Sequence, residues 1–287
     1  MKLALGTAQF GMDYGVANKE GRVPLSVVEN ILSVAKSHNI DTLDTAAAYG
    51  DSEQTLGTVG VHGFKIVSKL PPRDSEYSDA ASRVIKAVES SLENLGVNTL
   101  YGFLLHRPLE LLSAEGGKVF EALQALKEQG LIQKLGASVY GPEDLNKLSP
   151  HYEFDLVQAP MNLLDRRMIE SGWLAKLKRQ GTEIHIRSAF LQGLLLMPVA
   201  GRPEYFRPWN HLFECFDGWL KSNELQPLEA CLGFLNNQPE VDKIVVGIDS
   251  VKQLLEVVDA ANTKIPEAPE SLQSGESALI NPALWKL

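Results

Sequence analysis

Four residues have types and positions that could do proton chemistry together. Asp44 ends the run Ile40-Asp41-Thr42-Leu43-Asp44, and Tyr49 follows in Thr45-Ala46-Ala47-Ala48-Tyr49-Gly50. Lys69 ends Phe64-Lys65-Ile66-Val67-Ser68-Lys69, and His106 ends Tyr101-Gly102-Phe103-Leu104-Leu105-His106. A free tyrosine, with a pKa of ~10, is a poor acid or base at neutral pH. A nearby ammonium favours its phenolate and brings it toward a useful range. The ammonium in turn needs a carboxylate to remain charged in a semi-buried site. Asp44, Lys69 and Tyr49 supply that chain, and His106 adds a second donor. Such a set suits proton donation to a carbonyl oxygen, which becomes negative as a hydride reaches its carbon. Each residue also has a plainer reading. Strand-end Lys and Asp commonly form structural ion pairs, a lone His often packs in a core, and Tyr beside Gly can fill a loop. Four such residues around three consecutive strand ends favour one shared site.

The elements that must position them alternate along the chain. Short apolar runs fall at 3–5, 42–43, 65–68, 101–105, 132–137, 155–158, 183–188 and 243–246. Amphipathic patterns with three- and four-residue spacing lie at 27–36, 78–95, 118–129, 141–148, 166–180, 227–236 and 250–261. Ser26 is the expected N-cap of the first helix, and Gly96 and Gly130 mark helix ends. Eight strands, nearly all followed by a helix, predict a single-domain (β/α)8 (TIM) barrel over residues 1–287, with an irregular tail from about 264. Reactive residues of such barrels sit at the C-terminal strand ends. A doubly wound sheet would place G-x-G-x-x-G after the first strand, and Gly6-Thr7-Ala8-Gln9-Phe10-Gly11 does not match. The stretch 194–222 reads as one long irregular loop holding Phe206, Trp209, Phe213 and Trp219. His185, inside the seventh run, reads as structural.

Composition removes several classes. Of 287 residues, 44% are hydrophobic and 22% charged, enough for a sizeable core. Asp and Glu outnumber Lys and Arg by 36 to 27, and a net charge of −9 lacks the footprint of a nucleic-acid binder. No run approaches the ~18 apolar residues of a membrane span, and the N-terminus reads as a strand rather than a signal peptide. Cys215 and Cys231 suit a reducing cytoplasm and read as buried free thiols. No His-Glu-x-x-His motif or Cys/His cluster at zinc spacing occurs.

The segment Asp44-Thr45-Ala46-Ala47-Ala48-Tyr49-Gly50-Asp51-Ser52-Glu53 resembles the aldo-keto reductase signature D-T-A-x-x-Y-G-x-S-E. Lys69 and the histidine in Leu104-Leu105-His106-Arg107-Pro108 fit the same family. So do Leu135–Tyr140, Val157–Asn162, Ile186–Leu194 and Val245–Ser250, in the expected order. The resemblance implies a (β/α)8 reductase of aldehydes and ketones using NADPH, NADH not being excluded. It implies Tyr49 as general acid, Lys69 and Asp44 as its tuning pair, and His106 as the group that orients the carbonyl. It places the nicotinamide carboxamide at Ser138 and Gln158, near Asp44, with Arg187 where an aromatic residue often stacks on the ring. Gly6 and Thr7 join the site from the first strand. The pyrophosphate falls on Ser188, Ala189, Phe190, Leu191 and Gly193. The adenosine end falls on Gly247, Ser250, Lys252, Gln253 and Glu256, where a helix start suits an anion.

The family pattern is altered in places. Val139 follows Ser138 where asparagine is common. Arg187 sets a positive charge beside a ring that is cationic when oxidised, which favours the reduced cofactor. Asp249, Gln253 and Val257 stand where 2′-phosphate-binding groups are frequent, leaving Lys252 as the base there. Two rivals remain at this level: a Schiff-base lyase or aldolase with Lys69 as nucleophile, and a redox-sensing subunit that binds cofactor with little turnover. Specificity should come from 107–117, 194–222 and 264–287. Trp209, Trp219 and Trp285 beside Arg107, Arg202 and Arg207 suit a sugar-like or negatively charged carbonyl compound, or else simply pack the loop.

Overall fold

Eight apolar runs become eight parallel strands, most of them buried on both faces. They are β1 (Leu3–Gly6), β2 (Thr42–Asp44), β3 (Lys65–Leu70), β4 (Leu100–Leu105), β5 (Ile132–Ser138), β6 (Leu156–Pro160), β7 (Glu183–Arg187) and β8 (Lys243–Gly247). The structure, a computed structural model, describes residues 1–16, 18, 20–72 and 79–286. The strands pair in chain order, and β1 closes on β8 with Gly6 opposite both Asp44 and Gly247. This closed (β/α)8 barrel is the predicted fold.

The large core lies between the strands and the surrounding helices. A much smaller one fills the barrel axis, where Val67, Leu104 and Leu156 meet over Tyr101. The interior is tight there. A Cβ at Gly136 would stand 2.3 Å from the Leu156 carbonyl and 2.4 Å from Leu104 Cδ2. Polar side chains occupy the axis above and below this layer, and that division creates two chemically different ends.

Several local expectations change. The predicted 27–36 helix is Leu25–Ser37, with Pro24 at its N-cap, so Ser26 lies inside it, and a short helical turn at Ala8–Gly11 precedes it. A helix at Ser52–Val59, absent from the sequence reading, joins β2 to β3. The predicted 166–180 helix is two, Arg167–Glu170 and Trp173–Arg179, because Gly172 turns left-handed at φ +74°. The predicted 78–95 helix runs Ala80–Leu95, and Ser78 lies outside the described residues. The stretch 194–222 is not one loop, since Asn210–Ser222 is helical. The tail contains a helical turn at Ser277–Ile280. Leu287 lies outside the described residues. Cys231 is buried as expected, but Cys215 is exposed.

The aromatic residues after β7 tie that segment to the tail. Trp285 packs edge-on against Phe206 at 4.8 Å, and the Trp209 indole donates to Glu276 at 2.9 Å. Arg202 grips Asp217 through two hydrogen bonds of 2.8 and 2.9 Å, and Arg207 pairs with Glu204. These residues therefore build a clasp, and the aromatic and arginine lining expected for the substrate site is absent from them.

Candidate active site

The signature segment folds as it does because its small and polar residues are each committed. Ser52 Oγ donates to the Thr7 carbonyl at 2.8 Å and shares hydrogen bonds with the Thr7 and Thr45 hydroxyls. Thr7 Oγ1 in turn donates to the Asp44 carbonyl. Glu53 is buried and accepts from Ser68 Oγ on β3, one residue before Lys69. The Tyr49 turn is pressed against the loop after β1. A Cβ at Gly11 would lie 1.9 Å from the Tyr49 carbonyl, and one at Gly50, whose φ is +54°, would lie 2.4 Å from the Gly11 carbonyl. Side chains at either position would push Tyr49 away.

Asp44, Lys69 and Tyr49 meet above the inner core. Lys69 Nζ donates to Asp44 Oδ1 at 2.7 Å and to the Thr45 carbonyl at 2.8 Å. It lies 5.0 Å from the centre of the Tyr49 ring. Lys69 is 0% exposed and Asp44 3%. Burial alone would lower the lysine's proton affinity. The charges of Asp44 and Tyr49, with the hydrogen bonds they make, outweigh it and hold the ammonium above its ordinary range. Gln158 Nε2 donates to the other Asp44 oxygen at 2.6 Å, and Ser138 Oγ donates to Gln158 Oε1 at 3.2 Å. His106 stands edge-on to Tyr49 at 5.9 Å. Burial, then the Lys69 charge, push its pKa down to about 4, so it is a neutral imidazole at neutral pH.

A cavity of about 590 Å³ opens over this set. Asp44, Tyr49, His106, Ser138, Gln158 and Arg187 line one end. Gly6, Thr7, Ser188, Ala189, Phe190 and Gly193 line its length, and Gly247, Gln253 and Glu256 its far end. Four of the predicted residues do not line it. Lys69 sits beneath the floor, and Leu191 is buried. Ser250 caps the helix Val251–Ala260 by accepting from Gln253 N, and exposed Lys252 pairs with Glu256 at 3.8 Å. Arg187 is the one lysine or arginine lining the cavity among the described residues. It donates to the Val139 carbonyl at 3.0 Å and lies over the Tyr140 ring at 5.1 Å.

Sequence reasoning missed Gln9, Tyr14, Tyr140 and Gln192, which line the cavity, while Asn281, Pro282 and Ala283, which also line it, belong to the tail expected to shape specificity. Burial, then the neighbouring Tyr49, raise the Tyr14 pKa. A tyrosine within a glycine-bracketed loop, Gly11 to Gly15, is the one local signal that could have marked it.

The cavity is of a size and shape suited to a nicotinamide dinucleotide. Ser188, Leu191, Gln192 and Gly193 all adopt left-handed φ, from +46° to +90°. Such turns direct main-chain amides together and favour anions, which fits a pyrophosphate. Among the described residues no cluster of acidic, His or Cys side chains is arranged to hold a metal ion, and no helix is long and apolar enough to cross a membrane.

Comparison with known proteins agrees with this architecture. A profile of the Aldo/keto reductase family matches residues 2–270, and the chain belongs to that family of nicotinamide-dependent oxidoreductases. An uncharacterised oxidoreductase of Bacillus subtilis, YqkF, is 26% identical over 267 residues, covering 85% of this chain and 86% of that protein. An NADH-specific methylglyoxal reductase of Escherichia coli is 23% identical, covering 77% and 72%. A 6-dehydroglucose reductase of Agrobacterium fabrum is 28% identical, covering 62% and 66%. Among solved structures, a Pseudomonas aeruginosa protein assigned to the aldo-keto reductases superposes with a TM-score of 0.67 at 26% identity, covering 91% and 89%.

Proposed function

We propose that this enzyme reduces the carbonyl group of a small polar aldehyde or ketone, Tyr49 giving the proton and a nicotinamide dinucleotide giving the hydride. One observation carries the reading. A fully buried ammonium, Lys69, is fixed by Asp44 directly beneath a tyrosine that faces a deep cavity. The positive charge favours the phenolate that Tyr49 becomes on donating its proton. Neutral His106 offers a second hydrogen bond to the same oxygen without competing as an acid. The same wiring argues against Lys69 as a Schiff-base nucleophile. It lies beneath the cavity floor and its amine is held protonated.

NADPH is the cofactor the family resemblance implies, and NADH is a credible second. Asp249, Gln253 and Glu256 line the far end of the cavity, with no lysine or arginine there among the described residues. A ribose hydroxyl suits such acceptors better than a phosphate does. The names of the methylglyoxal and dehydroglucose reductases support a small, sugar-like carbonyl substrate. A panel of aldehydes, ketoses and dicarbonyls, followed at the nicotinamide absorbance with NADPH and NADH, tests the reading. Turnover of at least one compound is expected. Silence across the panel with both cofactors would overturn it.

A further inference from the structure

We infer that Gln158 is a positioning residue for the proton donor, besides lining the pocket that would receive the nicotinamide. This rests on the reading of Tyr49 as the acid. The Asp44 carboxylate is gripped on both sides: Lys69 Nζ holds Oδ1 at 2.7 Å, and Gln158 Nε2 holds Oδ2 at 2.6 Å. The amide's orientation is forced, because a carboxylate only accepts and the amide nitrogen must face it. Gln158 is 1% exposed, on β6, and its other end accepts from Ser138 on β5. The register supports this, since Ser138 lies directly opposite Gln158 in the sheet. A chain of hydrogen bonds therefore runs Ser138, Gln158, Asp44, Lys69, then to Tyr49. An amide has two N–H donors, so the bond to Asp44 uses one of them.

The electrostatic consequence has a definite sign. The Gln158 N–H directs partial positive charge at the Asp44–Lys69–Tyr49 set. Removing it makes a negative charge there less favourable, so phenolate should form at higher pH. The other charged and titratable groups facing Tyr49 are His106, Tyr14 and Arg187. None of them touches Asp44 in place of Gln158. A residue that merely held cofactor would change binding and leave the pH limbs where they were.

The test uses Gln158→Met, which removes both hydrogen-bonding groups at similar length, and Gln158→Leu, which removes them in a shorter apolar side chain. At saturating cofactor, the pH limb of alcohol oxidation should move alkaline by about half a pH unit in the Met variant, roughly a threefold loss below the limb. It should move in the same direction in the Leu variant. The tyrosinate ultraviolet titration of the cofactor-free protein, taken as the difference from the same protein with Tyr49→Phe, should shift in the same direction. Ser138→Ala, which frees only the far end of the Gln158 amide, should weaken dinucleotide binding and move both curves less than Gln158→Met does. Should Gln158→Met not fold, Gln158→Leu carries the same test. Unmoved curves in enzymes that still depend on Tyr49 would overturn the role of Gln158 alone. If Tyr49→Phe retained full turnover, the reading beneath it would fall as well.

Discussion

The two ends of the barrel axis hold the same four kinds of group, a carboxylate, a lysine, a tyrosine and a histidine, and the upper set opens to the cavity. At the upper end, Asp44, Lys69, Tyr49 and His106 sit where strands finish. At the lower end, Glu183, Lys134, Tyr101 and His185 sit where strands begin. Below, one carboxylate takes every donor. Tyr101 OH donates to Glu183 Oε2 at 2.6 Å, Lys134 bonds the same oxygen, and His185 Nε2 meets Oε1 at 2.7 Å. Burial, then its bond to Glu183, raise the Tyr101 pKa against the pull of Lys134. Above, the carboxylate touches the lysine and an amide instead. The lysine stands between the carboxylate and the tyrosine, and the tyrosine and histidine face a cavity. Which group the carboxylate binds is what distinguishes the two ends.

The largest expected effect breaks the symmetry directly. Tyr49→Phe should lower turnover by about 10³-fold, within the usual range for a general acid, while dinucleotide affinity changes little. Tyr101→Phe should leave turnover within about twofold, because it loses a hydrogen bond far from the cavity. Steady-state kinetics and cofactor titration of both variants check the pair. Comparable losses in the two would mean the lower cluster is coupled to the chemistry.

Acid should strip stability from the two ends in different windows. His106 resists protonation in the fold, with its pKa pushed down to about 4, whereas an unfolded histidine protonates near ~6.5. The unfolded chain then binds more protons between these values. Stability present above about pH 6.5 is lost as pH falls toward 4, by about 3 kcal/mol in all. Glu183 behaves differently. Burial would raise its pKa, but His185, Lys134 and Tyr101 hold it well below the carboxylate range. Its contribution is intact above the ordinary glutamate value and is lost only in stronger acid. Urea unfolding across pH 4 to 7 should show the upper window, and His106→Asn should flatten it. A slope unchanged in that variant would assign the loss elsewhere.

Most of this contrast was legible at one end only. Asp44, Lys69 and His106 announce themselves because each closes an apolar run, and in a parallel barrel that position is the catalytic rim. Tyr101, Lys134 and Glu183 lie at or near strand starts, where polar residues carry no comparable expectation. Tyr14 reaches the cavity through long-range packing that no local pattern encodes. The helix Ser52–Val59 was hidden by its signature residues, since Ser52 and Glu53 are buried for hydrogen bonding rather than for apolar periodicity. The helix Asn210–Ser222 was masked by the prolines that precede it.

The smallest effect uses two lysines on one strand. Lys65 opens β3 and Lys69 lies near its end, four residues on. Lys65 pairs with Asp41 at 3.0 Å, but its side chain is 47% exposed and that of Asp41 40%. Lys243 also holds Asp41, at 2.5 Å, so removing Lys65 orphans nothing. The hydrogen bond to Asp41 raises the Lys65 pKa, so its contribution is present below the ordinary lysine value and is lost as pH rises through the shifted one. Solvent and salt screen such a pair. Lys65→Met should therefore cost about 0.5 kcal/mol in urea unfolding, less in high salt, with turnover unchanged. Lys69→Met, by contrast, strands the buried Asp44 and removes the charge beneath Tyr49, so turnover should collapse. A drop in turnover for Lys65→Met, or a stability loss several times larger, would show that the lower end of β3 helps hold the upper one in place.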